Sequence, residues 1–249
     1  SLPATGDREL DRVIPADCEV QVPRGYHIEY GSLTIEAGAT LVFAPKAALT
    51  VGFEGPTKLL IRGTEQNPVQ MHGLDGAAFE GIRLMKHADG SQISYLSLTG
   101  AGTRQHGALH SEAEDLSVDH TTIVEPASVG VHITGDGTLA RFAANTITSA
   151  TPRPGHPFVL LPPVALHAFD ATNRFPKQSV IHVLPGLIRV PGRWPRISVP
   201  LIIGGDIEIA GSNEQVARVE IAAGNELRFQ SEANLSVGYF DPGALILAG

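Results

Sequence analysis

With 249 residues, 43% of them hydrophobic and 18% charged, the chain is long enough for one large folded domain and too apolar for a disordered tail. Its 18 basic and 26 acidic residues give a net charge of −8, which repels phosphate backbones and argues against a nucleic-acid partner. A single cysteine excludes a disulfide framework, and no run reaches the roughly 18 apolar residues of a membrane-spanning helix.

The N-terminal segment, residues 1–11, opens on Leu2-Pro3-Ala4-Thr5-Gly6, the pattern that sortases cleave. It stands at the wrong end for a sortase signal, without the hydrophobic stretch and basic tail that follow one, and is read as a chance match. Residues 12–249 read as a single domain. Cys18, close to Val20 and Val22 and flanked by Asp17 and Glu19, is expected to be a small buried residue and not a reactive thiol.

Two stretches dominate the chain: Leu33 to Gly63 and Val219 to Gly249 align without a gap at a constant offset (219 − 33 = 186), with 12 of 31 positions identical. The identities include Ile35/Ile221, Gly38/Gly224, Leu41/Leu227, Phe43/Phe229, Leu49/Leu235 and Val51/Val237. Asp17 to Val22 resembles Asp206 to Ala210 upstream of them. One long unit (12–197) and the start of a second (198–249) follow, and the counterpart of Gly249, Gly63, runs on into Thr64, which predicts further coils in the natural protein.

A shorter period lies between the copies. Gly81-Ile82-Arg83-Leu84, Gly107-Ala108-Leu109-His110 and Gly130-Val131-His132-Ile133 recur at about two dozen residues, as do Ile93, Leu116 and Leu139, each leading to Leu98, Ile123 and Ile147. Inside each coil apolar residues stand two apart, as in Leu33-Thr34-Ile35, Leu49-Thr50-Val51, Ile207-Glu208-Ile209 and Leu235-Ser236-Val237. That is the strand period; no helical stripe of a dozen residues appears, so almost no α-helix is expected. Stacking such short strands between successive coils, about 4.8 Å apart, predicts about ten coils in a rod on the order of 50 Å long.

The run Ser32-to-Gly52 resembles the opening of bacterial right-handed parallel β-helix proteins of the surface or extracellular type. Phe79 to Gly102 resembles their next coils, and Phe142 to Ile147 and Phe169 to Phe175 resemble their asparagine corners, where asparagine tolerates left-handed backbone and bonds adjacent main chain. The resemblance covers roughly residues 12–249 and implies an all-β, right-handed parallel β-helix. It also implies a bacterial extracellular or cell-surface location, and either a structural spacer or a surface that binds polysaccharide or other cell-surface components. Other proteins of this fold degrade polysaccharides. Residues 151–165 depart from the pattern: proline-rich, they are expected to bulge from the solenoid.

Chemistry is sparse. There is no HExxH, no CxxC, no phosphate loop and no calcium-loop pattern, so neither cofactor nor metal is expected. Asp89-Gly90-Ser91 and Asp136-Gly137 read as turns. Stacked coils bring residues one period apart into contact, which gathers His110, Glu112, Asp119, His120 and His132 as candidates for acid–base work, with Asp115, Arg83 and Arg104 nearby. The favoured reading is a noncatalytic spacer or binding module; the alternative is a polysaccharide lyase or glycoside hydrolase built on those residues. Self-association through unpaired solenoid ends is a further expectation.

Overall fold

The computed structural model describes residues 11–239 and 241–248 of the chain. The Leu2–Gly6 motif and all of the N-terminal segment except Asp11 lie outside the described residues. The chain is a parallel β-solenoid. Its first two turns consist of β1 (Arg12–Ile14), β2 (Glu19–Val22) and β3 (Tyr26–Ile28), then β4 (Gly31–Glu36), β5 (Thr40–Phe43) and β6 (Ala48–Val51). The next two contain β7 (Thr57–Arg62), β8 (Val69–Gly73) and β9 (Gly81–Leu84), then β10 (Gln92–Ser94), β11 (Leu96–Thr99) and β12 (Leu109–Ser111). There follow β13 (Leu116–Asp119), β14 (Thr122–Val124), β15 (Val131–Ile133), β16 (Leu139–Ala143), β17 (Thr146–Thr148) and β18 (Pro157–Leu161). The last part holds β19 (Val180–Val183), β20 (Gly186–Ile188), β21 (Gly192–Trp194), β22 (Leu201–Ile203) and β23 (Ile207–Ile209), and ends with β24 (Ala217–Ile221), β25 (Leu227–Phe229), β26 (Leu235–Val237) and β27 (Gly243–Leu247). Two short 3-10 segments, Leu74–Gly76 and Pro163–Ala168, are the helical elements of the described residues, in line with the expected lack of α-helix.

Every strand pairs in parallel with its counterpart one turn away. β1, β4, β7, β10, β13 and β16 form one six-stranded sheet, and β2, β5, β8, β11, β14 and β17 a second. A third sheet runs unbroken through nine strands, from β3 to β25, and so makes about eight full turns. Ten coils were expected from a period of two dozen. Some turns are longer: Leu49 pairs with Ile82 (82 − 49 = 33), where the Leu74–Gly76 segment and its flanking loops are accommodated.

Alternation sets the core. Inward residues such as Leu33, Ile35, Leu59, Ile61, Ile93, Leu116 and Val118 are at most 1% exposed and stack in columns. Aromatic rings join the columns at two places, with Phe43 on Phe79 and Phe142 on Phe169, each pair 4.5 Å between centroids. Cys18 is half-buried, not buried: its thiol donates to the Pro15 carbonyl at 3.0 Å.

At the corner leading into β14 and β17, Asn145 and Asn173 are buried. Asn145 Oδ1 accepts from Thr121 N (3.0 Å) and its Nδ2 donates to Val118 O (3.0 Å). Asn173 repeats this one turn on, accepting from Asn145 N (3.0 Å) and donating to Phe142 O (2.7 Å). Of the two roles expected of these asparagines, main-chain bonding is the one they fill. The left-handed backbone falls on Ala144 (φ 55), the residue before Asn145, and on His120 (φ 47), the residue before Thr121.

Beyond β17 the cross-section changes. The first two sheets end at β16 and β17, and two three-stranded sheets, β20-β23-β26 and β21-β24-β27, take over beside the continuing long sheet. The proline-rich stretch sits at this seam. It does not simply bulge: Pro157–Leu161 is β18 in the long sheet, and Ala165 and Leu166 are buried. The two copies offset by 186 residues match strand for strand, β4 to β24, β5 to β25, β6 to β26 and β7 to β27, yet they join different sheets. β5 belongs to the second six-stranded sheet, β25 to the long one. The duplicated stretch therefore encodes strand, corner and strand, while the preceding turn decides the sheet.

Candidate functional site on the long sheet

Register fixes which side chains line the outer face of the long sheet. Tyr26, Leu49, Ile82, Leu109 and Val131 point inward and are buried. The residues after them therefore form an outward column: His27, Thr50, Arg83, His110 and His132, each paired with the next. The column continues through Leu160 and His182.

Two outward residues are nonetheless buried, Thr50 at 7% exposed and His110. His110 is 5% exposed because the connection between β11 and β12 folds over it. A turn from Thr103 to His106 is closed by Thr103 N donating to His106 O (2.9 Å) and by His106 N donating to Thr103 Oγ1 (3.0 Å). It sets the His106 ring edge-to-face on His110, 4.7 Å between centroids. His132 packs on the other side of His110 at 5.1 Å, also edge-to-face. Glu112, two residues along the same face, places Oε1 3.7 Å from His110 Nε2. Arg83, below His110, is held by Glu80 at 2.5 Å.

Burial holds His110 neutral and lowers its pKa to about 4, with His106, His132 and Arg83 adding in the same direction. Burial also lowers His106 and His132; the carboxylates of Glu80 and Glu112 pull His106 partly back. Three neutral imidazoles thus meet beside one guanidinium at neutral pH. Buried Nδ1 of His106 and His110 and Nε of Arg83 have no hydrogen-bond partner. Among the described residues, no three His, Cys, Asp or Glu side chains are placed to hold a metal ion. The edge-to-face ring packing turns the three imidazoles against each other and not toward a common centre.

The candidates from the sequence divide into two groups. His110, Glu112 and His132 come together, with Arg83. Asp119 and His120 do not join them: Asp119 ends β13, in a different sheet, and His120 follows it. There the His120 ring stacks on Tyr95, 4.4 Å between centroids, and Asp119 lies 3.3 Å from His120 Nδ1 and 3.5 Å from Arg141 Nε. Asp115 is a turn residue whose N–H donates to Thr138 Oγ1. Sequence reasoning passed over His106 and Glu80. A loop histidine four residues before His110 carried no periodic signal, although its closeness to His110 in the chain was a clue.

The chain matches no family model, no curated protein and no solved structure. A histidine whose conjugate acid has a pKa of about 4 is a weak base and is scarcely protonated near neutrality, so it is poorly matched to either half of acid–base catalysis there. The accessible members of the column, His27, Arg83, His132 and His182, offer instead imidazole and guanidinium groups set at multiples of the strand spacing, suited to contact along an extended ligand. No helix of the described residues is long and apolar enough to cross a membrane.

Proposed function

We propose that this chain is a noncatalytic, extracellular or cell-surface β-solenoid of bacterial type that serves as a spacer and as a binding surface for polysaccharide. The observation that carries this reading is the outer column of the nine-stranded sheet, from His27 to His182, held in register by an unbroken parallel ladder. Solenoids use such extended faces for binding, and a polymer with its own repeat can meet several side chains of the column at once.

The alternative, a polysaccharide lyase or hydrolase, is favoured by one observation: Glu112 and His110 lie 3.7 Å apart beside Arg83. The low basicity of His110 weighs against it. One experiment separates the two. The purified chain is tested against a panel of acidic and neutral polysaccharides, reading retention together with new reducing or unsaturated ends. Retention without products supports a binding module. Products that disappear in His110→Gln or Glu112→Gln establish the enzyme. Neither retention nor products leaves a spacer alone.

A further inference from the structure

A second recess lies where three successive connections cross from the second sheet to the long sheet. They join β11 to β12, β14 to β15, and β17 to β18. Arg104 comes from the first, Glu125 and Ser128 from the second, and Ser149, Arg153 and His156 from the third. The recess has a volume of about 330 Å³, within the range of roughly 300–1,000 Å³ usual for small-ligand sites.

Its walls are tied together. Glu125 accepts from Ser149 Oγ at 3.1 Å and from Ala150 N, so both carboxylate oxygens hold the third connection to the second. His156 Nε2 donates to Ser128 O at 3.1 Å and makes a second tie. With Glu125 occupied in this way, no carboxylate lies within ion-pair distance of Arg104 or Arg153 among the described residues. Six other arginines, Arg62, Arg83, Arg141, Arg189, Arg193 and Arg228, each pair with a carboxylate; Arg104 and Arg153 belong to those that do not, and they share one recess. On a chain of net charge −8, two guanidinium groups left without carboxylates on the rim of one polar recess are suited to an anion from outside, which a guanidinium fork grips with two parallel hydrogen bonds.

We infer that this recess binds an anionic group, a carboxylate or a sulfate, carried on a saccharide unit. The inference rests on the polysaccharide-binding reading above and names the class of glycan. The turn Thr103–His106 carries Arg104 on the recess and His106 on the imidazole cluster, so one glycan chain can run from the recess onto the column.

Calorimetric titration of the full chain tests this with four probes: a uronate tetrasaccharide, a sulfated tetrasaccharide, a neutral tetrasaccharide and free inorganic sulfate. The expected result is that one anionic tetrasaccharide binds at least about tenfold more tightly than the neutral one and weakens with added salt. Which of the two it is names the group. An Arg104→Gln/Arg153→Gln double variant, altered at two exposed side chains, keeps the wild-type unfolding midpoint and loses at least about tenfold in that affinity. Inorganic sulfate bound as tightly as the sulfated sugar overturns the saccharide part of the inference. Equal binding of neutral and anionic sugars, unchanged in the double variant, overturns the recess assignment and leaves the binding-module reading intact. No glycan bound by the wild type removes both.

Discussion

The ring of His132 packs edge-to-face on that of His110, 5.1 Å away, because the two residues are direct register partners in adjacent parallel strands. Their 22-residue separation (132 − 110 = 22) is one complete turn. The contact is therefore a property of coil length, and any change in that length would break it.

The cluster makes stability depend on pH. His110 titrates at about 4 in the folded chain and near 6.5 when unfolded. Above pH 6.5 both states hold a neutral ring and the full stability is present. As pH falls from 6.5 toward 4, the unfolded chain takes up a proton that the folded chain refuses, and stability is lost. A shift of this size corresponds to a loss of about 3 kcal/mol, and the lowered His106 and His132 act in the same direction. Urea titrations between pH 4 and pH 8 should show this slope in the wild type and a shallower one in His110→Gln; equal slopes would count against a buried, neutral His110.

Asn145→Ala removes an acceptor from Thr121 N and a donor from Val118 O, both buried in the corner. Leaving such groups unsatisfied costs about 1–3 kcal/mol each. The expected outcome is a denaturation midpoint lowered by an amount corresponding to about 2–6 kcal/mol, with the slope unchanged. Asn145→Asp keeps the acceptor only and should fail to restore stability.

Gly81 begins β9 at φ 90, and a Cβ there would lie 2.2 Å from Ala108 O, the main chain of the next turn. Gly81→Ala should therefore destabilise by more than the roughly 1–2 kcal/mol of left-handed backbone alone. Thermal unfolding compared with Gly100→Ala, whose Cβ would meet nothing within 4 Å, separates collision from backbone strain.

The pair Arg62–Glu36, 3.5 Å apart, is solvent-exposed on both sides. Exposed pairs contribute little, so Glu36→Gln should change stability by less than about 0.5 kcal/mol. A loss several times larger in denaturant titration would show that the pair is shielded from water.

Much of the architecture was legible because alternation and glycine punctuation are local signals. Leu98, Ile123 and Ile147, matched by spacing, are true register partners. Register was less secure elsewhere. Aligning Gly81 with Gly107 and Gly130 pairs Ile82 with Ala108, whereas the strands pair Ile82 with Leu109 and Leu109 with Val131. A slip of one residue exchanges inside for outside, and only the packed core decides between them. Ile93 likewise pairs with Val118 and not Leu116; that slip of two keeps the face. His110 and His132 were found together since their spacing equals one turn. Asp119 and His120 were misplaced with them since proximity in sequence does not reveal the sheet. His106 reaches the cluster through a loop, which periodicity cannot place.

The seam after β17 has a mechanical consequence. Of the sheets that tie each turn to the next, only the long one carries a strand ladder across it, supported by the Phe142–Phe169 stack and the Asn145–Asn173 link. A linear stack is only as cooperative as its weakest junction. The core runs on through the seam, but the ladder narrows there to one sheet, so under heat or tension the solenoid is expected to part first at that joint, like a shaft at its coupling.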